Sequence, residues 1–580
     1  MKPITTKLKV LLGAATALSL MASSGVVADD NFSNVLQQGS GNSGLVTQGG
    51  SKNRVGTETF AARQTGRTGA QTGNNNVFTF SQSGSGNEIG TGGTGFLQER
   101  HRNTATITQT SDFNKVFQAT QTGPSNEWGN QRRNTLTIEQ GGAGGSNIVS
   151  RISQTRADGL LTSNEPGNIA TITQTNTSSG PLSAGGNVVG DNTVLSGGVD
   201  QDGFRHRATL TQTGSGNRIV NVDQRGINQG ATIEQDGTSN RVSRVQQTGT
   251  GHRAIISQDG ISNGTTDFVA SRINGAWGGL SQGHAYQSGG LLGGNELDYG
   301  ATGNNNSFGF DQNGNNNEIY GRLNSGSDNN QTGVIQDGGW NEARFNVTGD
   351  LNHVFIAQGL SSLISADNFA NVTITGDGNH VGAVQNGVWN DANVLIEGAV
   401  SNNNTVNILQ ASRGAGNDAN VTIRNGSSNN IKVNQNLPLF GLTNTATVTV
   451  QNGSSNVLDV FQNGSLNTAT VYIQGSNNNN RPAPQNVFTG PAWDKALLVT
   501  GLVPGDIEQI GIGNTLTYNV GLSNLASNGN LFAFHQNGSG NVINGSTDGS
   551  NNQAVVVQQG NFNLTNFSQV GSGNVIGVSQ

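Results

Sequence analysis

Glutamine stands at positions 201, 212, 224, 235, 247 and 258, so the chain returns to it after 11, 12, 11, 12 and 11 residues. A disordered polar tract has no reason to keep such a register, whereas a stacked repeat does. A second pattern, Asn-x-h-x-h-x-Gln with h apolar, begins at Asn76, Asn103, Asn134, Asn168, Asn306, Asn352, Asn379, Asn404, Asn456, Asn530, Asn552 and Asn574. It closes on Gln82, Gln109, Gln140, Gln174, Gln312, Gln358, Gln385, Gln410, Gln462, Gln536, Gln558 and Gln580. In "NTATITQ" (103–109), Asn103, Ala105, Ile107 and Gln109 share one face and three threonines share the other. Period two with threonine and isoleucine is the mark of a half-buried strand.

Between these strands lie corners such as "QTGSGN" (212–217), "QDGTSN" (235–240) and "QNGSGN" (536–541). Glycine and asparagine supply the positive φ that a tight reversal needs. A seven-residue strand and a four-residue corner return to glutamine after 11, and one longer strand or corner makes 12. Adjacent strands pairing as hairpins would fit the same spacing. The equivalence of residues 23 apart favours a parallel stack. The expected fold is all-β, a β-solenoid of two-strand rungs of about 22–23 residues. In "TATVTVQ" (445–451) and "TATVYIQ" (468–474) the apolar face and the glutamine have opposite parity, which predicts a bulge near Gln451 and Gln474.

Stacking gives the amides a role. The chain has 87 glycines, 5% aromatic and 32% hydrophobic residues, with about 80 asparagines and about 40 glutamines. So little apolar surface cannot fill broad cores. Identical amides repeated along a stack at ~4.8 Å can donate to one another, which removes the penalty of burying them.

The N-terminus reads as a secretory signal. Lys2, Lys7 and Lys9 precede the apolar run Val10–Met21, and small residues place cleavage after Ala28. No twin arginine is present, and no other segment has the length and apolarity to span a membrane as a helix. The formal charge of −7 does not suit a nucleic-acid partner. With no cysteine, disulfide frameworks and thiolate metal sites are excluded.

These strands resemble the curlin repeat of the curli major and minor subunits, the bacterial functional amyloids, with its Ser-x5-Gln and Asn-x5-Gln halves every 22 or 23 residues. "RIVNVDQ" (218–224) and "RVSRVQQ" (241–247) resemble the first half; "HRATLTQ" (206–212) and "HRAIISQ" (252–258) resemble the second. The resemblance implies ladder roles for Gln212, Gln224, Gln235, Gln247, Gln258 and Gln569, the motif glutamines above, and Asn103, Asn168, Asn379, Asn456, Asn530 and Asn574. Arg218 and Arg241 then take the family's serine position, and His206 and His252 its asparagine position. It further implies a secreted subunit that polymerises with itself or with curlin-like subunits. Export would pass through an outer-membrane apparatus to extracellular fibres that serve biofilm formation and adhesion.

The repeats are expected over 29–263, 304–474 and 514–580. Residues 264–303 and the proline-containing 475–513 are expected as insertions, since proline does not fit a central strand. The seven histidines lack i,i+4 ligand spacing and the carboxylates form no acid–base pair, so no enzyme, cofactor or metal site is expected. One alternative is a non-polymerising surface adhesin, or an ice-binding solenoid using outward Thr-x-Thr rows such as Thr104, Thr106 and Thr108.

Overall fold

The structure is a computed structural model. It describes residues 8–10, 30–37, 42–56, 62–65, 75–92, 95–123, 133–156, 167–178, 185–191, 197–266, 280–289, 293–359, 367–398, 400–412, 414–436, 441–521 and 527–580. The expected leader and its expected cleavage point after Ala28 lie outside the described residues, apart from strand Leu8–Val10, which pairs with Phe32–Gln37. The chain forms two compact units, residues 1–266 with 281–305 and residues 267–280 with 306–580. Each is a parallel β-solenoid in which the chain passes alternately between two sheets.

In the first unit, Arg207–Ser215 pairs in parallel with Gly230–Thr238, which pairs with Arg253–Ile261. Gln212 faces Gln235, 23 residues on, and Gln235 faces Gln258. The intervening strands Asn221–Ile227 and Arg244–Thr250 pair with each other in the opposite sheet. These successive strands are therefore not hydrogen-bonded to one another, and all the pairings are parallel, which excludes the hairpin arrangement. Side chains alternate as expected: in Thr104–Gln109 the residues Ala105, Ile107 and Gln109 are buried while the threonines face outward.

The alternation of 11 and 12 has a structural cause. The strand that follows His206 runs straight to Gln212. The strand that follows Asn217 breaks at Val220, between Arg218–Ile219 and Asn221–Ile227, and thereby holds one more residue. The kink repeats at Ser243 in the next rung. Val220 N–H still donates to Val242 O and Ser243 N–H to Gly283 O, so the extra residue keeps its bonds along the stack. This shifts one expectation. The interior position before the kink belongs to Asn217 and Asn240, both buried, whereas Arg218 is half-buried and Arg241 exposed. The arginines do not occupy the ladder slot.

Glycine is required where the rungs turn. Gly214 and Gly237 have φ of +104° and +103°, and a Cβ on either would lie 1.8 or 2.1 Å from the carbonyl oxygen of the glycine one rung on. Backbones meet here too closely for any side chain.

The second unit stacks Ser307–Asn315, Gln331–Gly339 and their successors to Val575–Ser579 in one sheet, and Glu318–Leu323 to Leu564–Val570 in the other. No bulge occurs at Gln451 or Gln474. Thr445–Val450 and Thr468–Ile473 alternate without a break, Val450 and Ile473 are buried, and both glutamines lie just beyond the strands, half-buried. The parity conflict arises because an apolar residue has taken the interior slot.

Both expected insertions are narrower than their sequence suggests. Within 264–303, His284–Ser288 and Glu296–Thr302 continue the first unit's two sheets; residues 267–279 lie outside the described residues. Within 475–513, Asp506–Ile512 is again a rung strand, pairing with Val457–Ser465. Residues 475–505 do not leave the stack. They carry a short helix, Gly490–Ala496, with proline at its start, where the missing N–H is harmless. Phe488, Ala492, Ala496 and Leu502 pack on the outer faces of Leu531, Ala533, Val555 and Val557. The Thr489 N–H donates to Gln553 Oε1 at 2.7 Å, and Gln553 Nε2 donates to Thr489 Oγ1 at 2.8 Å.

Candidate functional site

The feature with chemical content is the set of amide columns inside the stack. In the straight sheet of the first unit, each glutamine donates from Nε2 to Oε1 of the next. The chain of bonds runs Gln48, Gln82, Gln109, Gln140, Gln174, Gln212, Gln235, Gln258, every step 2.8 Å. In the kinked sheet it runs Gln98, Gln121, Gln154, Gln201, Gln224, Gln247, Gln287. The second Nε2 hydrogen reaches a backbone carbonyl of the facing sheet, as in Gln212 to Val188 O at 3.2 Å. From Gln82 to Gln258 and from Gln98 to Gln287 the amides are fully buried, and within the columns their donors and acceptors are satisfied; Gln48, at the start, is half-buried.

The second unit has one continuous glutamine column. It comprises Gln312, Gln336, Gln358, Gln385, Gln410, Gln435, Gln462, Gln509, Gln536, Gln558 and Gln580, linked at 2.8–3.0 Å. In the other sheet the equivalent slot is apolar from Leu323 through Val347, Ile374, Ile396, Ile423, Val450 and Ile473 to Val520. Thr547 and then Gln569 follow. Glutamine periodicity alone misses these rungs. The signal that finds them is asparagine, which persists in both sheets.

The asparagine columns close the corners. Asn103, Asn379, Asn456 and Asn530 each donate from the backbone N–H and from Nδ2 to the Oδ1 of the asparagine one rung back. Asn168 and Asn574 make the backbone bond. His206 and His252 occupy this column. Their Nε2 atoms lie 3.0 Å from the carbonyls of Asp202 and Thr248, four residues back, where asparagine Nδ2 usually donates. Asn295 N–H donates to His252 Nδ1 at 3.1 Å. Burial lowers both histidine pKa values, favouring the neutral ring this geometry needs.

In-register stacking helps self-complementary amides and penalises carboxylates. Asp391 faces Asp418, and burial followed by the Asp418 charge raises the Asp391 pKa. Asp506 faces Asp459; burial above all, with the nearby Asp459 and Glu508 charges, pushes it up to about 6. A raised folded-state pKa means stability is lost as pH rises from about 3.8 through about 6. Asp506→Asn, which keeps an acceptor for Val503 N–H, should therefore stabilise the second unit at pH 7 by about 1 kcal/mol, a figure reduced for solvent screening. At pH 3.5 it should change little. Melting curves of both proteins at the two pH values check this; a stabilisation of equal size at both would point to another cause.

Outward threonines also align. Thr79, Thr106, Thr137, Thr171, Thr209 and Thr232 are consecutive neighbours in one sheet of the first unit. The adjacent column contains Ser81, Thr108, Glu139, Thr173, Thr211 and Glu234. No helix among the described residues is long and apolar enough to cross a membrane. No protein-family model matches the chain, and no curated protein matches it.

Proposed function

We propose that this chain is a secreted structural subunit that self-assembles into extracellular amyloid-like fibres on the bacterial surface, for biofilm formation and adhesion. Such a subunit needs no catalytic site. It would leave the cell through an outer-membrane export apparatus and take further copies, or curlin-like subunits, as partners. The observation that carries this reading is the self-complementary amide ladder, which runs along both units among the described residues. Any rung edge of this kind is a template for another of the same kind. The rung at residues 564–580 supports it further. Here the second-sheet slot returns from apolar side chains to an amide, Gln569. This rung therefore carries Gln569 and Gln580 together, the two-amide pattern of the first unit's rungs.

Removing residues 530–580 should slow fibre growth, and the 530–580 segment should seed the full chain in a dye-binding assay. Growth at the wild-type rate without those residues, together with failure to seed, would move the contact elsewhere.

The aligned threonine column supports a second reading, a flat water-ordering surface that binds ice. Glu139 and Glu234 interrupt the adjacent column, which weakens it. Thermal hysteresis in a nanolitre osmometer would support this reading over the first.

A further inference from the structure

The corners hold residues whose backbone is left-handed, most of them glycine, asparagine, serine or aspartate. Ten bulkier residues among the described ones share this conformation, including Arg205, Leu351, Leu466 and two tryptophans. Trp340 and Trp389 have φ of 62° and 58°, and each is 60% exposed. A bulky residue in this region is a genuine outlier, and such strain persists mainly where a function holds it. Phe113 and Phe562 occupy similar corners, but their rings lie against Gly86 and Gly540 of the neighbouring rung, covering bare backbone. One rung back, Trp340 and Trp389 stand over Asn316 and Asp367 rather than over a glycine; Gly416 lies against the Trp389 backbone on the rung after it.

Trp340, Asp367 and Trp389 directly precede Asn341, Asn368 and Asn390, three consecutive members of one asparagine column. The order along the axis is thus aromatic, carboxylate, aromatic, and the two indoles are two rungs apart, about 10 Å. Trp389 Nε1 donates to Asp367 Oδ2 at 3.1 Å, which fixes that ring against the carboxylate. Phe369 adds a half-buried ring beside Asp367 on the adjoining sheet face, and Asp391 a half-buried carboxylate one rung on.

We propose that this corner binds a neutral β-1,4-linked polysaccharide, an inference that stands apart from the polymerisation reading. Aromatic faces accept the apolar C–H face of a pyranose ring, and tryptophan offers the largest such face at little entropic cost. A β-1,4-linked chain turns the same face outward at every second sugar, which suits two platforms separated by one rung. Asp367 between them accepts hydrogen bonds from sugar hydroxyls. The Asp367 and Asp391 carboxylates disfavour acidic polysaccharides and anionic membranes.

The test is calorimetric titration of the full chain with cellohexaose and with chitohexaose. Binding of at least one is expected. Trp340→Asn and Trp389→Asn should each weaken it at least tenfold, and the double variant should abolish it. Asparagine suits a left-handed backbone, so these variants should melt at or above the wild-type temperature, which separates lost binding from lost fold. Trp493→Ala, on the helix far along the stack, should leave binding unchanged. The proposal is overturned if neither oligosaccharide binds, or if the double variant binds as wild type does. It is also overturned if the tryptophans instead bind phosphatidylglycerol vesicles, or if the double variant loses only self-association.

Discussion

Replacing Gln212 with leucine is expected to destabilise the rungs around it by roughly 2–6 kcal/mol, because two buried groups lose partners at about 1–3 kcal/mol each. Gln174 Nε2 loses its acceptor and Gln235 Oε1 loses its donor. Both amides are buried and water cannot replace the missing bonds. Thr209→Ser, on the outer face of the same strand, should change stability by less than about 0.5 kcal/mol. A solenoid does not unfold as one unit, so the measurement is amide hydrogen exchange read rung by rung. Protection should fall around residues 169–238 in the Gln212 variant and stay near wild type in the Thr209 variant. Equal loss in both would mean that the ladder contributes no more than the surface.

The mirror experiment lies in the second unit. Ile423→Gln should cost about 3 kcal/mol, since it buries a lone amide between Ile396 and Val450 with no ladder partner. Introducing glutamine at 396, 423 and 450 together should cost much less than three times that amount. The middle amide then donates to one neighbour and accepts from the other, as in the natural columns. Contacting sites are where additivity fails. Denaturation of the single and triple variants gives the comparison. Strictly additive costs would show that the geometry of this sheet cannot support a ladder, and that its apolar slot is more than an alternative filling.

Much of this architecture is legible in the sequence because a stack repeats its interior. "NTATITQ" places Asn103, Ala105, Ile107 and Gln109 inward with no tertiary information. The alternating step poses a question that sequence leaves open, since a longer corner and a longer strand give the same count. The kinks at Val220 and Ser243 settle it. Other features were hidden by substitutions that satisfy the same slot differently. Val450 and Ile473 fill a glutamine position by apolar packing, so the motif disappears while the rung remains. The docking of 475–505 had a signal in "LFAFHQ" and "QAVVVQ", strands apolar on both faces. Such runs mark a strand covered on its outer side as well, whereas period two reports the inner side alone. His353–Gln358, "HVFIAQ", carries the same mark, with Phe355 and Ala357 packed beneath Leu280. The corner tryptophans were invisible in principle, because a left-handed backbone is a property of the corner and not of the residue that occupies it.

Self-assembly through amide-laddered edges is tested most directly by incubating a purified chain of residues 29–580. The products would be examined by electron microscopy and aligned for X-ray fibre diffraction. The expected result is unbranched fibres with a strong reflection near 4.8 Å along the fibre axis, from strands stacked perpendicular to it. A chain that stays monomeric through long incubation, binding no amyloid dye and forming no fibres, would contradict the account.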